Sequence, residues 1–329
     1  MKIILLAGGL GTRLWPLSTR KKPKQFLKLF NQKSTFELAV ERALKLAHEE
    51  EIIIVTNKQF LSLVQEQLDG KKCSVLIENE PKNTMGAITL AVVYAKEKWS
   101  NQNDLFLVFC SDHLIDGPSF YKQIKEAKEL AKNNIVLFGT RPTRIETGYG
   151  YIQTEHENVL SFKEKPNATQ AKEYIEDGNY FWNLGMFFFS QKVFERHLFE
   201  HCKAHSILYQ LGYSKLQEGF AKLPSISFDY AILEKAVQRK CIVFEDLFWS
   251  DVGSFDALYD LFQKDAQENA MSVNTNAIDS KGNLVIGKQM IFLVDCEELI
   301  VIEHEGNILV TKRRSGQKVK EIVKELSNS

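Results

Sequence analysis

Nothing in this sequence supports a disulfide framework. The five cysteines, at 73, 110, 202, 241 and 296, are odd in number and include no CxxC pair. That also argues against a thiolate zinc site and fits a reducing compartment. Charge of one sign is missing as well: Lys+Arg and Asp+Glu are 42 each. A sequence-independent nucleic-acid binder needs a basic footprint, so that class is excluded, while a local pocket for a small anion is not. Long apolar runs are absent too. No stretch of 18 apolar residues occurs, and the opening Met-Lys-Ile-Ile-Leu-Leu-Ala run is too short for a signal peptide. The expectation is a cytoplasmic protein with neither nucleic acid nor membrane as partner. The 329 residues, 44% hydrophobic, suffice for roughly two domains of about 150 residues each.

The first half alternates apolar runs with amphipathic ones. The runs Lys2–Ala7, Glu51–Val55, Ser74–Ile77, Asp104–Phe109 and Asn134–Phe138 predict strands, with helices at 34–48, 58–68, 84–99 and 117–132 between them. Ser34-Thr-Phe-Glu37 reads as a capping box at the start of the first helix. Strands alternating with helices imply right-handed crossovers and a mainly parallel sheet. Short continuous apolar runs fit strands covered on both faces. The predicted class is α/β: a Rossmann-like mixed, mainly parallel sheet flanked by helices. After Asn269 the turn signals Ser280-Lys-Gly-Asn283, Asp295–Glu298 and Glu305-Gly-Asn307 punctuate short runs. They predict a small all-β unit, coiled or stacked, closed by a helix at 316–326. The boundary is placed between domains 1–265 and 266–329.

The densest chemical signal is Leu6-Ala-Gly-Gly-Leu-Gly-Thr-Arg-Leu-Trp-Pro16, directly after the first strand. Gly8, Gly9 and Gly11 allow a tight turn that presents backbone N–H groups to an anion. Leu6, Ala7 and Thr12 complete this candidate nucleotide loop. Arg13 adds a fixed guanidinium for phosphate oxygens. The dinucleotide fingerprint fails because position 14 is Leu, and a Walker A loop fails because Thr12-Arg13 is not Lys-Ser/Thr. Arg20-Lys-Lys-Pro-Lys24-Gln-Phe-Leu follows, with Lys24 behind a proline that restricts its backbone.

This pairing of glycine loop and Pro-Lys-Gln-Phe-Leu resembles the sugar-nucleotide pyrophosphorylases, and within them the mannose-1-phosphate guanylyltransferases. The likeness runs through nearly the whole chain. Glu78-Asn-Glu-Pro-Lys-Asn83-Thr84 resembles the family segment EPxxRNT, with Lys82 for Arg. Ser111-Asp112-His113 matches its SDH turn. Gly148-Tyr-Gly-Tyr-Ile152, Phe162-Lys-Glu164-Lys165-Pro166, Trp182-Asn183-Leu-Gly185-Met-Phe, Phe228-Asp229-Tyr-Ala and Trp249-Ser-Asp251-Val-Gly-Ser254 follow in order.

The resemblance implies the fold of the nucleotide-diphospho-sugar transferases with a small C-terminal β-helix-like domain. No isomerase domain of the longer bifunctional relatives is expected. It implies transfer from GTP to α-D-mannose 1-phosphate, giving GDP-mannose and pyrophosphate. Such an in-line displacement at the α-phosphorus is carried by positioning and charge stabilisation. Arg13 and Lys24 are the catalytic candidates. Asn83, Thr84 and Ser111 join the loop in binding nucleotide, and Asp112 and Asp251 are implied to meet at Mg²⁺, which takes few carboxylates beside phosphate oxygens. On the sugar side, Glu164 can accept from hydroxyls and Lys165 can meet the phosphate. Asn183 offers an amide and a carbonyl, Gly150 and Gly185 close backbone approach, and Asp229 another acceptor.

Other readings stay open here. A different sugar acceptor, such as a manno-heptose 1-phosphate, is not separated by sequence. An NAD-dependent oxidoreductase and a non-catalytic sugar-nucleotide sensor are the rivals of other classes. Taken alone, Asp112 is also a natural helix cap and Asp251 a turn residue. His197, His201 and His205 fall four apart and read as a solvated helix face rather than a zinc site. Lys312-Arg-Arg314 reads as solvated or at the border of a subunit contact, which leaves a homodimer open. Phe187–Phe189 reads as core strand.

Overall fold

A computed structural model describes residues 1–328 apart from Leu10, Ser100, Gln102, Asn103 and Val273, and the side chains of Thr12, Gln317, Lys320, Lys324 and 326–328 lie outside the description. In chain order the elements are β1 (Lys2–Leu6), α1 (Thr35–Leu44), β2 (Ile52–Asn57), α2 (Leu61–Leu68), β3 (Ser74–Glu78), α3 (Asn83–Trp99) and β4 (Leu105–Cys110). Then come β5 (Leu114–Asp116), α4 (Phe120–Ala131), β6 (Ile135–Thr140), β7 (Gly150–Glu155), β8 (Asn158–Glu164), α5 (Ala168–Asp177) and β9 (Tyr180–Ser190). The helices α6 (Gln191–His201), α7 (Lys203–Gln210) and α8 (Tyr213–Gly219) precede β10 (Arg239–Phe244), β11 (Phe248–Ser250) and α9 (Phe255–Leu261). The last stretch holds β12 (Ala270–Met271), β13 (Thr275–Ile278), β14 (Leu284–Ile286), β15 (Ile291–Val294), β16 (Leu299–His304), β17 (Asn307–Lys312) and α10 (Val319–Asn328).

Contacts divide the chain into two compact bodies. One holds Met1–Gly8, Glu37–Ser111 and Ile115–Trp249; the other holds Gly9–Phe36, Asp112–Leu114 and Ser250–Ser329.

The first body carries a nine-stranded sheet in the order β3-β2-β1-β4-β9-β6-β10-β8-β7. The pairs β3–β2, β2–β1, β1–β4 and β6–β10 are parallel. The long apolar run β9 enters antiparallel between β4 and β6. Ile4, Ile53, Val108, Leu137, Phe187 and Phe189 join one core cluster, which explains why these strands read as continuous apolar runs. Local signals set the helix ends. Asn167 caps α5 reciprocally with Gln170, and Gly178 ends it in the left-handed region at φ 80°. Ser190 caps α6 by accepting from the Val193 N–H.

The expected solvated histidine face is corrected. His197 and His205 are 2% and 1% exposed, and only His201 keeps partial access. His197 sits three residues after Phe194 and beside Leu198, so helical periodicity turns it into the core. Burial pushes both imidazoles down to about 4, which keeps them neutral at pH 7.

In the second body the strands stack as rungs. β12, β14 and β16 are parallel neighbours, Ala270 opposing Leu284 and Leu284 opposing Ile300. β13 and β15 form a second parallel pair, and β17 folds back antiparallel on β16. An asparagine ladder links the turns. Asn283 Nδ2 donates to Asn269 Oδ1 at 2.9 Å, and Asn283 Oδ1 accepts from the Leu299 N–H at 2.8 Å. Leu14, Leu17 and Leu27 share one apolar cluster with Phe255, Leu258, Leu284, Ile300 and Ile302. The loop Gly9–Phe36 therefore packs on residues from the far end of the sequence. Arg313 also departs from its expectation. Its guanidinium lies 3.6 Å from the Tyr259 ring centroid and donates to the Gly282 carbonyl, so it is packed rather than solvated.

Candidate active site

In the first body, parallel strands β1 to β4 end side by side, the position where open α/β sheets receive ligands. Leu6 closes β1 opposite Cys110, and its carbonyl accepts from the Ser111 N–H at 3.0 Å. Ala7 donates its N–H to the Val55 carbonyl, and its own carbonyl accepts from Thr56 Oγ1. The Gly8 carbonyl accepts from Asn57 Nδ2 at 2.9 Å. A Cβ on Gly8 would stand 2.8 Å from Glu78 Oε2, so the glycine leaves room for the end of that side chain. Glu78 ends β3 and is buried. Its Oε1 and the buried Ser111 Oγ have no hydrogen-bond partner among the described residues. Burial pushes the Glu78 carboxyl up to about 8.

Asn83 opens α3 with φ at 62°, and its Oδ1 accepts from the Thr84 N–H. The Thr84 hydroxyl accepts from the Phe228 N–H at 2.8 Å, so it ties α3 to the 226–228 segment. Lys82 Nζ donates to the Ala221 carbonyl and pairs with Glu80 at 3.3 Å. The cation that stands where the resemblance has arginine is thus bound to the protein's own carbonyl.

The six residues of the sugar set converge. Gly150 and Glu164 face each other across β7 and β8. A Cβ on Gly150 would stand 2.6 Å from Glu164 Oε2 and 3.4 Å from the Asn183 Cβ. Asn183 Nδ2 donates to Asp229 Oδ1 at 3.1 Å, while Asn183 Oδ1 accepts from the Gly185 N–H at 3.2 Å. Lys165, at φ 50°, pairs with Glu164. Asp229 begins a π-helical turn, Asp229–Leu233, a distortion frequent at functional sites. Burial, reinforced by the Glu164 charge, pushes its carboxyl up to about 7. A cluster of acceptors with one amide and one half-exposed ammonium suits a hydroxyl-rich anion.

The second body holds the rest of the glycine loop. Gln25 Nε2 donates to the Gly9 carbonyl at 2.8 Å, and Ser18 Oγ to that of Gly11. Gly11 lies in the left-handed region at φ 53°, and a Cβ there would stand 2.8 Å from Lys24 Cγ and 2.9 Å from the Lys24 nitrogen. The Thr12–Leu14 turn leaves Arg13 exposed, while the side chain of Thr12 lies outside the described residues.

Lys24 Nζ stands 3.1 Å from Asp112 Oδ2 and donates to the Asp251 carbonyl at 2.5 Å. His113 Nε2 lies 3.6 Å from Asp112 Oδ1. The Asp251 carboxylate accepts from the Gly253 N–H at 3.1 Å. Burial opposes the charge of Asp112, but Lys24 and His113 outweigh it and hold its carboxyl below the ordinary range. The Lys24 ammonium thus joins the Asp112 carboxylate to the main-chain carbonyl of Asp251, whose own carboxylate turns to the Gly253 N–H. Oxygen donors fit a hard divalent ion such as Mg²⁺.

The family described as Nucleotidyl transferase matches residues 2–268, and the MannoseP isomerase/GMP-like beta-helix domain matches residues 274–326. A protein of Escherichia coli named mannose-1-phosphate guanylyltransferase is 32% identical over 99% of this chain and 73% of its own length. The chain belongs to the mannose-1-phosphate guanylyltransferase family of nucleotidyl transferases. The xanthan biosynthesis protein XanB of Xanthomonas campestris is 35% identical with the same coverage. A crystal structure from Thermus thermophilus, described as a mannose-1-phosphate geranyltransferase, superposes with a TM-score of 0.92 at 30% identity, covering 99% of both chains. These matches bear out the expected fold class and the expected nucleotidyl transfer.

Within this family chain, sequence reasoning passed over Glu78, Asn57 and Gln25. Glu78 was inside a motif already singled out, yet its burial beside Gly8 depends on the pairing of β2 with β3. No helix among the described residues is long and apolar enough to cross a membrane.

Proposed function

We propose that the chain transfers a guanylyl group from GTP to α-D-mannose 1-phosphate. A phosphate oxygen of the sugar phosphate attacks the α-phosphorus, a new P–O bond forms, the bond to the β-phosphate breaks, and pyrophosphate leaves. Arg13 and Lys24 supply positive charge for the phosphate oxygens, and the N–H groups of the glycine loop orient them. Asp112 and Asp251 are the residues that would hold Mg²⁺, which when bound neutralises charge on the triphosphate.

The observation that carries the choice of guanine is Glu78. It is a buried carboxyl with an unpartnered oxygen at the carboxyl end of β3, lying against Gly8. Guanine presents two donors, N1–H and the N2 amino group, on a single edge, and one carboxylate can accept from both. No other common base offers that pair. The sugar choice rests on Glu164, which pairs with Lys165, and on Asn183 and Asp229, which hydrogen-bond each other; together they present acceptors for hydroxyl groups.

The test is pyrophosphate release across GTP, ATP, UTP and dTTP, each with mannose, glucose and manno-heptose 1-phosphates and Mg²⁺. GTP with mannose 1-phosphate is expected to give the highest kcat/KM. Preference for another nucleotide would overturn the role of Glu78, and preference for another sugar that of the Glu164 cluster.

A further inference from the structure

Lys24 is held unusually firmly for a lysine. It follows Pro23, and its side chain is 13% exposed. Its stem lies against Gly11, where even a methyl group would stand 2.8 Å from Cγ. Its ammonium has two oxygen partners, Asp112 Oδ2 and the Asp251 carbonyl. The second Asp112 oxygen lies beside His113. The carboxylate that would serve a divalent ion is therefore already neutralised on one side and flanked on the other.

A Mg²⁺ ion binds a carboxylate oxygen at about 2.0–2.1 Å, well inside the 3.1 Å separating that oxygen from Lys24 Nζ. An ion on Asp112 Oδ2 would push against the ammonium, and two cations on one half-buried oxygen repel. The ammonium is unlike the ion in one respect: it rides on a flexible four-carbon stem and can be given a different anion. A phosphate group is such an anion.

We propose that Lys24 and the divalent cation compete for Asp112, so that the cation is admitted only when a phosphate draws the ammonium off. The lysine thus enforces an order: metal enters with the nucleotide and is poorly held without it. This rests on the assignment of Asp112 to the metal, made above. The balance is purely ionic, since one ion pair is exchanged for another and no covalent bond changes.

The experiment measures Mn²⁺ bound to the full chain by water-proton relaxation, with no nucleotide present. Lys24→Met should tighten Mn²⁺ binding by about tenfold or more, because it leaves a half-buried carboxylate without its counter-charge. Lys24→Gln, which keeps a donor for the Asp251 carbonyl but no charge, should tighten it as well. Adding Asp112→Asn to either variant should abolish the gain. Unchanged or weaker Mn²⁺ binding in both lysine variants overturns the competition while leaving the metal assignment standing. If Asp112→Asn alone binds Mn²⁺ as the parent does in the presence of α,β-methylene-GTP, the metal assignment itself fails and the competition with it.

Discussion

Glu78 Oε2 lies 2.8 Å from the point where a side chain on Gly8 would begin, so the carboxyl sits directly against the glycine turn. Replacing Glu78 by Gln swaps one acceptor oxygen for a donor facing a donor edge. Mispairing a buried polar group costs about 1–3 kcal/mol, so kcat/KM for GTP should fall roughly tenfold to a hundredfold. The KM for mannose 1-phosphate should stay near that of the parent. Steady-state kinetics with each substrate varied in turn reads both.

The same carboxyl predicts a pH signature. Its pKa in the folded chain is raised to about 8 from 4.5. The folded state therefore holds a proton that the unfolded state gives up, and stability from this group is full below the unfolded value and lost as pH rises through the folded one. Thermal melts of parent and Glu78→Gln should diverge between pH 5 and 8, with the variant gaining ground by an amount on the order of a few kcal/mol. Parallel melting curves across that window would contradict the burial argument. GTP binding should also release a proton below pH 8, seen as a buffer-dependent heat in calorimetry and absent from the variant.

Gly11→Ala should destabilise the second body. The position lies at φ 53°, and the new methyl group would press on the Lys24 backbone nitrogen at 2.9 Å. Backbone strain of this kind costs about 1–3 kcal/mol. Urea denaturation should show it as a lower midpoint, with turnover reduced as Lys24 is displaced.

Arg13→Ala should leave the fold intact, because the side chain is exposed. Turnover should drop by a factor on the order of 10²–10³, the cost of losing one strong charge stabiliser. Turnover within threefold of the parent at saturating substrates would remove Arg13 from the reaction.

Glu164→Gln tests the sugar cluster. Mannose and glucose differ at the 2-hydroxyl, and the parent should favour mannose 1-phosphate by roughly tenfold or more. The variant should narrow that ratio through the KM for the sugar phosphate, with the KM for GTP nearly unchanged. A defect confined to GTP would show the sugar to be placed wrongly.

The strands of the parallel half were legible because each is a continuous apolar run with both faces covered: Lys2–Leu6 and Ile52–Asn57 bury almost every residue. The turns after Asn269 were legible as a stacked unit because each carries its own Gly, Asn or Asp signal. The convergence of Glu164, Asn183 and Asp229 was not readable from order alone, since it depends on the register of β7, β8 and β9. The histidine stripe misled because polarity suggests solvent, whereas Phe194 and Leu198 on the same helix outweigh one imidazole and draw it inward. Glu78 was hidden by its own type: a glutamate at a strand end looks like surface until its neighbours are known.

The packing of Leu14, Leu17 and Leu27 on Leu284, Ile300, Leu309 and Val319 has a consequence in time. A ribosome adding about 5–20 residues per second makes the glycine loop at once but needs roughly another 15–60 seconds to make its supporting partners. The nascent chain therefore carries its glycine loop without these packing partners for most of its synthesis. Competence to bind nucleotide should arrive abruptly, near the end of translation.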